Sequence, residues 1–167
     1  MAKLPPPPAG VNLVSYADDC TILATGPNID SLCGKISDYL TDLANFFTAK
    51  SLTISAAKST ATLFTTWTNE VRLELDVYVN GNKIPTVNHP KILGVTFDSL
   101  FSFSAHASAT CEKMRARNKV LKSLAGSTWG ALKETLLTAY KAIGRSVANY
   151  AAPVWTAGTS DTQRRNL

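Results

Sequence analysis

The alternation of apolar and polar positions predicts two short strands near the start of the chain. Val11 to Tyr16 alternates in this way, and a second run of β-forming residues covers Cys20 to Ala24, closely followed by a Gly-Pro pair. Ala17, Asp18 and Asp19 lie between the two runs. The sequence therefore predicts a β-hairpin whose tip is acidic.

Apolar residues next recur at every third or fourth position, which predicts an amphipathic helix from Ile29 to about Lys50. After this helix the β-prone runs return. Further strands are predicted at residues 52–55, 60–67, 73–79, 83–87 and 91–97. The third and fourth of these strands are joined by Asn80-Gly81, a pair that suits a type I′ turn, so they predict a second hairpin.

The composition changes after residue 98. Residues 102–124 are rich in Ala, Lys, Arg and Leu and contain neither Gly nor Pro, which predicts a long helix ending at Gly126. A second helix is predicted between Ser127, as its cap, and Pro153, which ends it. We therefore predict an α+β fold with a mixed region at 1–98 and a helical region at 99–167.

The charges are distributed unevenly along the chain. Residues 1–100 contain seven Lys and Arg against nine Asp and Glu, whereas residues 101–167 contain the other ten against three. This difference indicates a polyanionic partner for the C-terminal third, and a solvated helix face is the alternative. The three cysteines lack a metal-type spacing, which favours reduced thiols in an intracellular protein, and no apolar run is long enough to span a membrane.

The acidic tip is the feature of the sequence that indicates chemistry. The adjacent carboxylates of Asp18 and Asp19 repel each other unless water screens them or a cation binds between them. Mg²⁺ prefers carboxylate and phosphate oxygens, and two such ions about 3.5–4 Å apart form the phosphoryl-transfer site of polymerases. The alternative is a hydrophilic turn in which aspartate only favours the bend.

Four segments of the chain resemble reverse transcriptase motifs and occur in that family's order. Val14 to Thr21 resembles motif C, the catalytic hairpin, and alanine before the Asp pair is typical of non-LTR, LINE-type retrotransposons. Leu52 to Ser59 resembles motif D, and Lys91 to Val95 resembles motif E, the primer grip. Tyr150 to Trp155 resembles the segment that closes the thumb. The chain is thus similar to the palm and thumb of a retrotransposon polymerase over nearly its whole length.

The resemblance implies a partial polymerase palm, an antiparallel sheet with the Asp-Asp hairpin, followed by a helical, thumb-like region. The implied reaction is RNA-directed DNA synthesis, the transfer of a nucleotide from a deoxynucleoside triphosphate (dNTP) to a primer 3′-hydroxyl on an RNA template. Asp18 and Asp19 would be catalytic ligands of two Mg²⁺ ions, and Lys58 would be the general acid that protonates the leaving pyrophosphate.

The implied contacts with the DNA primer have plainer alternatives. Tyr16 would pack against the primer terminus or would be an ordinary cross-strand aromatic residue. Leu93 and Gly94 would let the backbone approach the primer, although glycine within a strand is more often a bulge. Lys58 is otherwise an exposed lysine at a strand end. Five basic residues of the first long helix would bind phosphates or would form a solvated surface: Lys113, Arg115, Arg117, Lys119 and Lys122.

One departure from the family concerns the first catalytic aspartate, which there lies on motif A, upstream of the hairpin. Only residues 1–15 precede Tyr16 here. We therefore expect the 167-residue chain alone to be inactive and to need the upstream fingers and palm segment as its partner. The alternative function is a non-catalytic, nucleic-acid-binding remnant of a retroelement. A third possibility is an interaction module built on Pro5 to Pro8.

Overall fold

The computed structural model describes residues 4–67, 69–70, 72–126 and 130–165. The predicted α+β class is confirmed, since small antiparallel sheets are combined with several helices. The chain forms two compact units, one containing residues up to 63 together with 67–88, the other containing 64–66 and the residues from 89 onward. Residues 91–97, which were predicted to belong to the first region, thus lie in the second unit.

The predicted acidic hairpin is confirmed in the first unit. Strand β1 (Val11–Tyr16) pairs antiparallel with strand β2 (Asp19–Ala24), and the register places Val11 opposite Ala24 and Tyr16 opposite Asp19. The second strand therefore begins one residue earlier than predicted, at Asp19 instead of Cys20.

The predicted amphipathic helix is confirmed as α1 (Ile29–Thr48). Asn28 caps it, because its side-chain Oδ1 accepts a hydrogen bond from the backbone N–H of Ser31 at 3.0 Å. One side of the buried face packs Tyr39 and Leu43 against the base of the hairpin. Another side packs on a cluster formed by later residues: Leu75, Val77, Val79 and Ile84.

The strands predicted at 52–55 and 60–67 are wrong. In the described structure this stretch contains only an isolated bridge between Ala61 and Thr86. The reason is that a serine turn satisfies the backbone locally. The carbonyl of Ser55 accepts hydrogen bonds from the backbone N–H and the hydroxyl of Ser59, at 3.0 and 2.8 Å, so these groups do not contribute to a ladder.

The hairpin around Asn80-Gly81 forms as predicted but with much shorter strands. Strands β3 (Tyr78–Val79) and β4 (Asn82–Lys83) contain two residues each, in place of the longer predicted runs. Asn80 and Gly81 have φ values of 50° and 75°, the left-handed pair that a type I′ turn requires.

The single strand predicted at 91–97 is also wrong. The chain reverses within it, so that β5 (Lys91–Ile92) pairs antiparallel with β6 (Val95–Thr96). Leu93 and Gly94 form the turn, with φ values of 46° and 83°. The apolar run concealed this reversal because leucine rarely occupies the left-handed region.

Asp98 holds the turn that leads into the next helix. Its Oδ1 accepts hydrogen bonds from the N–H groups of Leu100 and Ser102 at 3.1 and 2.9 Å. Desolvation alone would raise the pKa of Asp98, but the hydrogen bonds from Ser102 and its neighbours lower it overall. These bonds stabilise a turn in which Phe101 and Phe103 both have a left-handed φ of 53°.

The long helix predicted at 102–124 is confirmed as α2 (Ser104–Ser123). Ser127, predicted to cap the next helix, lies outside the described residues. That helix is observed from residue 133 onward as α3 (Lys133–Ala139), a π-helical segment (Tyr140–Arg145) and α4 (Ser146–Asn149). Two short helices follow, α5 (Ala152–Trp155) and α6 (Asp161–Arg165).

The prediction that Pro153 ends the preceding helix is wrong. Pro153 lies in the first turn of α5. Proline is tolerated at this position because an N–H there needs no partner within the helix. In the described ranges, no helix combines the length and the apolar composition that a membrane span requires.

Trp155 forms the centre of the second unit. Its side chain is 1% exposed and packs with Val95, Phe103 and Ala107. The imidazole of His106 lies edge-on to the indole, with the ring centroids 5.4 Å apart. The core around Trp155 therefore joins β6 to α2 and α5, and it includes the buried imidazole of His106.

His106 makes the stability of this unit depend on pH. Its Nδ1 accepts a hydrogen bond from the backbone N–H of Thr96 at 3.2 Å, a bond that protonation would remove. Burial, followed by the charges of Lys113 and Lys91, lowers the pKa of His106 below its ordinary value of 6.5. The neutral ring is therefore the form that the fold favours.

We predict that the free energy of unfolding decreases as the pH falls below about 6.5, where the unfolded chain binds a proton at His106 more readily than the folded chain. This stability is fully present above that pH and is lost towards the lower pKa of the folded state. Urea denaturation at several pH values measures the effect. His106→Gln retains an acceptor but cannot titrate, so an equal pH dependence in this variant would contradict the prediction.

Candidate functional site

The two aspartates lie where the first hairpin turns. Ala17 and Asp18 form the two-residue turn, and Asp19 begins β2 opposite Tyr16. Ala17 has a left-handed φ of 53°, which allows the tight reversal between β1 and β2. Both aspartates are exposed, and within the described residues neither forms an ion pair with a lysine or arginine.

The hairpin is anchored at its base and free at its tip. Val11 is 4% exposed and packs with Tyr39 and Leu43 of α1, whereas Tyr16, at the other end of the same strand, is 66% exposed. Backbone pairing between β1 and β2 continues from the base to the tip, so the position of the tip is fixed relative to the base. The acidic pair is thus presented to solvent by a supported element.

The tip supplies carboxylate oxygens, the type of ligand that Mg²⁺ prefers, but not a complete ligand set. In the described part of the chain, no three Asp, Glu, His or Cys side chains lie together as a metal site. Cys20 is exposed beside the pair, and its pKa is raised by desolvation and then by the charge of Asp19. The thiol is therefore protonated at neutral pH in the metal-free chain.

Lys58 belongs to the same unit as the hairpin. It is exposed in the Ser55–Ser59 turn, where its backbone N–H donates to the Ser55 carbonyl at 3.2 Å. The sequence placed this lysine between two strands, and the structure places it in a turn between segments without a ladder. No ion pair joins its ammonium group to Asp18 or Asp19.

The Leu93-Gly94 turn belongs to the second unit, and it is held by Tyr150. The hydroxyl of Tyr150 donates a hydrogen bond to the Leu93 carbonyl at 2.7 Å. The tyrosine ring lies so close to Gly94 that a Cβ there would be 3.2 Å from Cε1. This role of Tyr150 was not predicted from the sequence, although glycine after an apolar pair could have indicated a turn.

The five predicted phosphate-binding residues of α2 are all exposed. The opposite side of the helix is buried in the second unit, through His106, Ala107 and Met114 among others. Arg117 differs from the other four because its Nη1 donates a hydrogen bond to the Ile143 carbonyl in the π-helical segment. Its guanidinium therefore has a structural contact as well as a charge.

The candidate residues thus form two groups. Tyr16, the aspartate pair and Lys58 belong to the first unit, and the Leu93-Gly94 turn and the cations of α2 belong to the second. Comparison with protein-family models, with curated proteins and with solved structures gave no match. The assignment of function therefore depends on the chemistry of these side chains and on the motifs they form.

We predict that Mn²⁺, as a probe for Mg²⁺, binds the hairpin tip and broadens the backbone amide NMR signals of residues 16–20. Asp18→Asn combined with Asp19→Asn should weaken binding by about tenfold or more, because each unit of charge contributes on the order of 1 kcal/mol at 4 Å even in water. The control replaces Asp38 and Asp42, two aspartates one turn apart on α1, by asparagine. Equal losses in both variants would mean non-specific attraction.

Proposed function

We propose that this chain is the palm-and-thumb part of an RNA-directed DNA polymerase of the LINE type. In this proposal the β1–β2 hairpin supplies two of the carboxylates of a nucleotidyl-transfer site. The supporting observation is the exposed Asp18-Asp19 pair at the tip of a hairpin whose base is buried against α1. Such an arrangement holds two oxygen ligands in place and leaves their remaining coordination positions open to substrate phosphates.

In this reaction, each of the candidate residues of the first unit has its own task. Asp18 and Asp19 hold the metal, and Tyr16 packs against the terminal base of the primer. Lys58, exposed in the Ser55–Ser59 turn, donates a proton to the pyrophosphate as it leaves. Asp18 and Asp19 would help to hold two Mg²⁺ ions, and the bound metal would supply Lewis-acid activation of the 3′-hydroxyl and neutralise charge on the transferred phosphate.

The partners follow from the same proposal. The RNA template and the DNA primer form a hybrid duplex, and a dNTP provides the nucleotide. The exposed cations of α2 contact the phosphates of this duplex, a role that needs charge without base recognition. An upstream fingers and palm segment contributes the third carboxylate, for which these 167 residues contain no corresponding motif.

A non-catalytic role in binding nucleic acid is the second candidate. The observation that favours it is the excess of ten basic over three acidic residues from position 101 onward, together with the exposure of the cations of α2. In this case Asp18 and Asp19 would be dispensable, whereas the cations would not.

We predict that the 167-residue chain does not extend a DNA primer on an RNA template in the presence of Mg²⁺ and dNTPs. Two carboxylates from one hairpin cannot replace the motif A aspartate. A polypeptide extended upstream through motif A should extend the primer. Asp19→Asn should lower its rate by at least about 100-fold, since loss of a ligand costs no less than loss of its outer-sphere partner. Efficient template-dependent extension by the short chain would refute the need for the upstream carboxylate.

We predict that replacing Lys113, Arg115 and Lys119 by glutamine weakens binding to duplex nucleic acid on every sequence alike. Removing one cation that binds a phosphate should reduce the slope of log affinity against log salt by about 0.9, so the triple variant should reduce it by nearly three. Arg117 is left intact because its hydrogen bond to the π-helical segment would confound the result. Fluorescence anisotropy at several salt concentrations provides the measurement.

The matched control for this charge replacement changes three exposed cations of the first unit to glutamine: Lys35, Lys50 and Arg72. It removes the same net charge from a different surface, so its salt slope should remain close to that of the wild type. Equal reductions in the two triple variants would assign binding to overall charge. An unchanged slope in both would assign the cations of α2 to a solvated surface.

A further inference from the structure

The second unit contains a chain reversal that its own residues disfavour. Leu93 and Gly94 form the turn between β5 and β6 with φ values of 46° and 83°. Glycine adopts such angles readily, but the Cβ of leucine collides there with its own backbone. Something outside the turn must therefore stabilise it.

The turn at Asn80-Gly81 is a matched comparison within the same chain. Its φ values, 50° and 75°, are nearly the same, and it also joins two strands of two residues each. Asparagine tolerates the left-handed region, and a Cβ built on Gly81 would meet no atom within 4 Å. The left-handed backbone of this turn is therefore favoured by its own two residues.

The Leu93-Gly94 turn, in contrast, is contacted by Tyr150, which lies 57 residues after Leu93 in the chain. The phenolic hydroxyl donates to the Leu93 carbonyl at 2.7 Å, and the ring covers Gly94, where a Cβ would be 3.2 Å from Cε1. The hydrogen bond fixes the peptide that follows Leu93, and the ring leaves little room for a side chain at position 94. Both contacts favour the left-handed pair over an extended strand.

Tyr150 is itself held firmly at the end of α4. Its backbone N–H donates to the Ser146 carbonyl at 3.1 Å, and its own carbonyl accepts a hydrogen bond from Nε1 of Trp155 at 2.9 Å. Because Trp155 is 1% exposed at the centre of the unit, its hydrogen bond connects Tyr150 to the core. Leu93 nevertheless stays 48% exposed, so the turn is accessible to solvent.

We infer that Tyr150 is a positioning residue, which fixes the Leu93-Gly94 turn in the conformation that meets the primer terminus. A strained turn persists only where the surrounding structure enforces it, and such turns are concentrated in ligand-binding segments. The contacts of Tyr150 with the turn belong to the fold, whereas the contact of the turn with the primer rests on the proposed function, in which Lys91 to Val95 acts as the primer grip that motif E forms in a reverse transcriptase.

The test uses the whole chain and an RNA template annealed to a DNA primer that ends in 4-thiothymidine, which crosslinks to adjacent residues under ultraviolet light. In the wild type, the crosslinked peptides should include residues 91–96, in addition to any that contain Tyr16. Tyr150→Phe keeps the ring and removes one hydrogen bond, so the yield at this segment should fall about fivefold. The affinity for the duplex should not change, because the cations of α2 provide it.

Two further variants separate positioning from general packing. Tyr78→Phe removes the hydroxyl of an exposed tyrosine beside the Asn80-Gly81 turn, and it should leave the crosslinking yield unchanged. Leu93→Asn relieves the strain, so the melting temperature lost in Tyr150→Phe should be recovered in the double variant. An equal loss of melting temperature in the Leu93→Asn background would show that Tyr150 does not hold the turn, and would overturn the inference.

The outcomes distinguish this inference from the function on which it rests. Equal crosslinking at residues 91–96 by the wild type and Tyr150→Phe would overturn the positioning role and leave the proposed primer contact intact. The absence of any wild-type crosslink within residues 91–96 would overturn the primer contact and the inference with it.

Discussion

In each compact unit a helix of twenty residues buries one face, and the short strands depend on that burial. Two-residue ladders such as β3–β4 and β5–β6 provide few hydrogen bonds, each with a net contribution of about 0.5–1.5 kcal/mol. Burying one large apolar side chain contributes about 1.5–3 kcal/mol, so a few contacts with α1 or α2 outweigh a ladder of this size. The helices therefore determine where the strands lie.

Because the strands depend on burial against the helices, the candidate aspartates and the Leu93-Gly94 turn lie at the ends of strands. The first hairpin is held where Val11 meets α1, so its tip is free to be polar and charged. The second unit follows the same plan, because Trp155 anchors Tyr150, which in turn holds an exposed turn. In both units a buried apolar contact fixes the backbone of a segment whose side chains remain accessible.

The features that the sequence predicted correctly are those with local causes. Alternation defined the β1–β2 hairpin, the helical spacing of apolar residues defined α1, and Asn80-Gly81 defined its own turn. The errors have distant or competing causes. The reversal at Leu93-Gly94 depends on a tyrosine much later in the chain, and a serine turn replaced the ladder expected around Lys58. At the candidate site, the position and exposure of the aspartates were predictable, whereas the support from Tyr150 was not.

The β1–β2 sheet has a consequence for how this chain behaves among other chains. In the described residues it contains only two strands, so each strand has an outer edge whose backbone N–H and C=O groups lack a ladder partner. Exposed Val14 and Leu23 lie along these edges. Such edges are open to pairing with a third strand, for example one from a second copy of the hairpin. Occupation of the edges therefore governs both assembly and aggregation.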